Sequence, residues 1–137
     1  MGTTNYTDTL IEVAEDCPVA GGEVPPTGAK PSVAALQYEL IAGHPYRYTS
    51  DDVLFEVYAS RNALPDNAKA AEREAFFAKD QPCLRASPLG KRYGWVIHHD
   101  QDGRVALVPV GSAQYDALAD NESLTHVKAM RSRRAER

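Results

Sequence analysis

The stretch QPCLRASPLGKRYGW, residues 81–95, places a thiol, three cations, a hydroxyl and two aromatic rings close together. Two kinds of chemistry could use that set. Arg85 offers a forked donor that matches a carboxylate or phosphate, and Ser87 adds a hydroxyl. Lys91 and Arg92 bring charge beside Gly90, where the backbone can approach a ligand closely. Tyr93 and Trp95 supply flat surfaces for stacking. Arg85, Ser87, Lys91, Arg92, Tyr93 and Trp95 are therefore the candidate binding residues for an anionic or phosphate-bearing small molecule. A plainer reading puts the rings in the core and pairs the cations with acids such as Asp80.

The second chemistry is nucleophilic. The same cations would favour the thiolate of Cys83, and His98 or His99 could serve as its base. Cys83, His98 and His99 are the catalytic candidates of this alternative, against the commoner fate of a cysteine as an inert buried side chain. Cys17 lies in an acidic stretch that disfavours its thiolate. A metal site is not assigned. Neighbouring histidines on a strand point to opposite faces, and the chain has no Cys-x-x-Cys or His-x-x-x-His pair. No cofactor is assigned either. Gly22 to Lys30 and Gly90-Lys91 lack the spacing with which a phosphate loop wraps its ligand. Asp100-Gln101-Asp102-Gly103 lacks the downstream ligands of a calcium loop and reads as a hairpin turn.

The elements that must position these residues follow from periodicity. Thr9 to Val13 is short, partly alternating and β-branched, so it reads as a strand. Residues 16–30 hold three prolines and three glycines and must be irregular. A helix starts at Pro31-Ser32, with Val33, Leu36, Leu40 and Ile41 on its buried face and Gly43 ending it. Thr49 or Ser50 caps a second helix, with Asp51 and Asp52 in its first turn. A third runs from Leu64-Pro65 to about Lys79, turning Ala68, Ala71, Ala75 and Phe76 inward. Residues 82–92 read as an irregular loop. Residues 93–98 and 105–110 make a hairpin, and Ser112 caps a short helix. A last amphipathic segment points Leu124, Val127 and Met130 inward. The expected class is α+β: a small antiparallel sheet of the N-terminal strand plus the hairpin at 93–110, packed with four to five helices. A winged helix shares the order of three helices and a hairpin, which makes nucleic-acid binding a further alternative.

Composition narrows the function classes. With 137 residues, 43% hydrophobic and 25% charged, the chain is expected to be a single globular domain over 1–137 with a basic tail from about 128. The net charge of −4 argues against coating nucleic acid by bulk electrostatics. No apolar run approaches the roughly 20 residues of a membrane helix, and no export signal opens the chain. Two cysteines suit a reducing compartment, so the expected location is the cytoplasm. Nothing in the sequence marks an oligomeric state.

Four segments carry a resemblance: TNYTDTLIEVAEDCP, YTSDDVLFEVYASRN, EREAFFAKDQPCLRASPLGKRYGWVIH and VKAMRSRR. Over nearly its whole length the chain resembles a family of small, mainly bacterial proteins known only as a domain of unknown function. The resemblance implies a domain boundary and transfers no activity, cofactor or site residue.

Overall fold

The computed structural model describes residues 3–30 and 32–131. In chain order it contains β1 (Thr9–Glu12), α1 (Val33–Ala42), α2 (Ser50–Arg61), α3 (Lys69–Ala78), α4 (Pro88–Lys91), β2 (Trp95–His99), β3 (Val105–Pro109), α5 (Ala113–Ala119) and β4 (Thr125–Lys128). Short 3-10 turns precede α3 and α4, at Asp66–Ala68 and Leu84–Ala86. The α+β class expected from sequence is the one observed. The helix start at Pro31 and the tail cations Arg133, Arg134 and Arg137 fall outside the described residues.

Helix starts follow the capping chemistry. Ser32 accepts the Ala35 amide at 3.2 Å. Thr49 and Asp52 form a reciprocal box, each side chain accepting from the other's amide. Ser112 caps α5 by accepting the Tyr115 amide. The α1 register differs from expectation. Its buried residues are Ala34, Ala35, Gln37 and Ile41, while Val33, Leu36 and Leu40 are only half-buried. Small alanines let the helix lie close to its neighbours, which leaves the larger apolar positions at the margins. In α3, likewise, Ala71 and Ala75 are exposed. That helix is held instead by Phe76 against Phe55 and Tyr58, and by the Arg73–Asp52 contact at 2.9 Å.

The sheet is mixed, with strand order β3-β2-β1-β4. β1 pairs antiparallel with β2, placing Thr9 opposite His99 and Leu10 opposite His98. It pairs parallel with β4, placing Leu10 opposite His126. The hairpin turn leans on the N-terminal segment, where the Asp8 amide reaches the Asp100 carbonyl at 3.0 Å, rather than projecting as a wing.

The last amphipathic segment, read with Leu124, Val127 and Met130 inward, is a strand over Thr125–Lys128. β1 would otherwise expose a free edge, and β4 satisfies it: the Thr125 and Ala129 amides donate to the Asp8 and Glu12 carbonyls at 2.8 and 2.7 Å. Thr125 and Val127 suit that extended backbone, and Met130 is exposed. Side chains add to the pairing. Glu12 accepts from the Tyr115 hydroxyl at 2.8 Å and faces His126 Nδ1 at 3.1 Å, while His126 Nε2 faces the Asn121 carbonyl at 3.0 Å.

Each sheet face has its own core. Ile11, Ile97 and Val105 pack with Ile41, Val53, Leu84 and Leu89 on the face toward α1, α2 and α4. Leu10, Val96 and Val108 pack with Tyr115 and Leu118 of α5 on the other. Each such fully buried aliphatic side chain stabilises the fold by about 1.5–3 kcal/mol. Among the described residues, no helix is long and apolar enough to cross a membrane.

Candidate functional site

The stretch expected to be an irregular loop is ordered as two helical turns. Ser87 followed by Pro88 explains the second, because the serine caps α4 and proline presets its first backbone angle. Gly90, read in sequence as a point of close backbone approach to a ligand, is buried, and a Cβ there would stand 3.0 Å from Ala129 Cβ. The close approach that the glycine allows is therefore to the end of β4.

Most of the candidate anion ligands are engaged within the fold. Arg85 Nε donates to the Lys128 carbonyl at 2.7 Å, and the Arg85 carbonyl accepts the Met130 amide at 2.7 Å. Those two bonds fasten the segment to the end of β4. Ser87 is 3% exposed; its oxygen accepts the Leu89 amide and its proton goes to Gln37 Oε1. Trp95 donates its indole N–H to the Glu23 carbonyl at 2.7 Å and lies beside Tyr38, at 5.5 Å between ring centres. The Tyr93 carbonyl accepts the Glu23 amide at 2.8 Å, so the proline- and glycine-rich segment lies across both residues. Lys91 and Arg92 form no ion pair among the described residues, with Asp80 or otherwise. They sit at the C-terminal end of α4, where positive charge complements the helix dipole.

The catalytic candidates separate. His98 lies on the α5 face and meets the Tyr46 hydroxyl at 2.8 Å through Nδ1; burial lowers its pKa. His99 lies on the opposite face, fully buried, and neither ring nitrogen has a hydrogen-bond partner among the described residues. Burial, reinforced by His98, pulls its pKa down to about 4, so the ring is neutral near pH 7. Neither imidazole bonds to Cys83. The thiol has a tyrosine instead: the Tyr6 hydroxyl is 3.3 Å from Cys83 Sγ. The Tyr6 ring stands edge-on to His99, 5.4 Å between centres. The bond to Cys83, followed by burial, raises the Tyr6 pKa, and the Arg85 charge works in the other direction. Tyr6, Cys83 and Arg85 thus form a half-buried corner above a neutral, unpartnered imidazole. Tyr6 was not legible as a partner, because it lies 77 residues upstream of Cys83 and only folding brings them together.

Cys17 makes a useful contrast. It is half-buried, and among the described residues its thiol reaches only the Val19 carbonyl, at 3.8 Å. Among the described residues, no group of three or more His, Cys, Asp or Glu side chains is arranged to hold a metal ion.

No curated protein and no solved structure matches the chain. A family model does, over residues 1–135, under the description "Family of unknown function (DUF6157)". The resemblance carried by the four sequence segments thus has a definite counterpart that spans every element described above, and the chain belongs to the DUF6157 family of unknown function.

Proposed function

We propose that the protein handles a small anionic molecule at the Tyr6–Cys83–Arg85 corner, with Cys83 Sγ as the reacting atom. The observation that carries this reading is the 3.3 Å contact between the Tyr6 hydroxyl and Cys83 Sγ. A phenol beside a thiol can donate to the thiolate and steady it without a histidine base. Arg85 supports the choice of substrate. Among the described residues only its Nε is engaged, which leaves the outer guanidinium nitrogens for an incoming oxyanion. Binding and thiol chemistry, which the sequence offered as alternatives, then become two halves of one site. The same reading calls for a reducing compartment such as the cytoplasm, where the thiol stays free, and for the chain to work as one domain.

Two alkylating reagents of similar size test it. Iodoacetate is anionic and iodoacetamide is neutral. In each case the sulfur–carbon bond forms, the carbon–iodine bond breaks, iodide leaves with the electron pair and the thiol proton passes to solvent. Peptide mass spectrometry reads both cysteines in one sample. The iodoacetate-to-iodoacetamide rate ratio should be about tenfold higher at Cys83 than at Cys17, the size expected of one nearby cation in a partly desolvated place. Tyr6→Phe should slow both reagents at Cys83 alone. Equal ratios at the two cysteines, or a Cys83 that stays unmodified in the folded protein while Cys17 reacts, would overturn the reading.

A further inference from the structure

A second region has polar groups that the fold leaves open. A groove of about 420 Å³ runs between α1 and α2, within the size range of small-molecule pockets. Its walls are the apolar side chains of Val33, Leu54 and Val57 and the ring of Tyr58. Gln37 also lines it, although this residue is only 3% exposed.

The orientation of that amide is fixed from behind. Ser87 accepts the Leu89 amide and donates its own proton to Gln37 Oε1. The NH₂ end of Gln37 is then left without an acceptor among the described residues. Unlike the two His99 nitrogens, this NH₂ is not sealed in, and the residue lines the groove.

The charge around the groove is uncompensated. Arg61, the last residue of α2, lines the rim and has no acidic partner among the described residues. On its other side lies a second groove of about 450 Å³, lined by Lys30, Ser32 and Ser60 as well as Arg61. Among the described residues no carboxylate lines either one. A third groove on the far flank of α1, about 510 Å³ and mainly aliphatic, is different. There Glu39 and Glu56 are present, and Lys69 is already tied to Glu56 at 3.1 Å.

We infer that the α1–α2 groove binds a small carboxylate with an apolar body, accepting from the buried Gln37 amide and the Arg61 guanidinium. An inorganic or sugar phosphate would leave the apolar walls unused, and a neutral apolar molecule would leave Gln37 unpaired. A flat carboxylate satisfies both, with its ring or chain against Val33, Leu54 and Tyr58 and its oxygens toward the two donors. This site is independent of Cys83 and of the chemistry proposed there.

Benzoate and its neutral counterpart benzamide are suitable probes, titrated into the isotope-labelled full chain and followed by NMR. Benzoate should shift the Gln37 side-chain amide and the Val33 and Leu54 methyl resonances. Its affinity should exceed that of benzamide by about tenfold, as charge-assisted hydrogen bonds allow. Arg61→Gln, an exposed change that leaves the core untouched, should weaken benzoate about tenfold and benzamide little. Gln37→Glu keeps an acceptor for Ser87 but replaces the donor with a like charge, and should abolish benzoate shifts. Equal responses to the two probes, benzoate shifts that map away from the groove, or an unchanged affinity in Arg61→Gln would each overturn the inference.

Discussion

Residues 82–95 and the α1–α2 groove meet through one hydrogen bond, Ser87 to Gln37, yet they use polar residues in opposite ways. In the segment, cations, hydroxyl and rings are crowded together in sequence, and folding engages most of them: Arg85 on the end of β4, Ser87 on α4, Trp95 beneath the proline- and glycine-rich segment. In the groove the polar residues come from separate stretches, and folding leaves a buried amide and the Arg61 guanidinium open. A dense run of functional residue types can mark a junction that the chain must fasten. What identifies a site is the polar group left over once the fastening is complete.

The strongest test of the junction half of that contrast is Gly94→Ala. Gly94 has φ +75°, and a Cβ there would stand 2.3 Å from the Gly21 carbonyl oxygen and 2.9 Å from Val19 Cγ2. Neither the left-handed backbone nor the contact with main chain can be relieved by a rotamer change. The substitution should cost about 3–4 kcal/mol in urea unfolding. A loss below about 1 kcal/mol would mean that the proline- and glycine-rich segment is not fastened here, and the contrast would fail.

His99 gives the next largest effect and probes the floor of the thiol corner. Its folded pKa is depressed from 6.5 to about 4 by burial first and by His98 second. The unfolded chain therefore takes up a proton that the folded chain refuses. Stability is fully present above about pH 6.5 and is lost as pH falls toward about 4. That window should remove about 2–3 kcal/mol, and His99→Leu should flatten the slope within it. The same change should raise stability near pH 7, because it deletes two buried nitrogens that bond to nothing. His126 runs the other way: the Asn121 carbonyl first, and then Glu12, raise its pKa. Its contribution is present below the ordinary imidazole pKa and declines as pH rises through the shifted value. Denaturant midpoints measured across pH in His99→Leu and His126→Gln separate the two slopes. A His99→Leu protein with the parent's acid slope would show that this imidazole meets water or a partner in solution.

The fold was legible in sequence where local chemistry decides it. Ser32, Thr49 and Ser112 were readable as helix starts, and the alternation around Ile97 and Val105 gave the hairpin. It was not legible where the outcome depends on a distant edge. Residues 124–130 carry a spacing that suits a helix as well as a strand, and only the unpaired side of β1 decides between them. Val33, Leu36 and Leu40 show the same limit, since their helical spacing was read as a core stripe. The alanines between them are what pack, so Val33 and Leu36 end up bordering grooves. For the candidate sites, Cys83 and Arg85 were readable as reactive types, but the Tyr6 hydroxyl on the thiol was not. Gln37 was the least visible, because a glutamine in a helix carries no signal until its surroundings leave one end of the amide without a partner.

Ser87→Ala has the smallest of the three stability effects and the sharpest meaning, because this serine belongs to both regions. Removing its oxygen uncaps α4 at Leu89, which should cost about 1–2 kcal/mol in urea unfolding. It also removes the proton that fixes Gln37, so the amide can turn either end toward the groove. Benzoate affinity should then fall several-fold, with the Gln37 side-chain resonances broadened, although Ser87 itself does not line the groove. Arg85→Gln, which loosens the same segment on the β4 side, should leave benzoate binding at the parent value. If Ser87→Ala destabilises the protein while the groove binds benzoate as before, Gln37 is held by its own helix, and segment and groove are neighbours without a link. If both measurements move together, a buried hydroxyl in a run that reads as a ligand site serves instead to aim an amide on another helix.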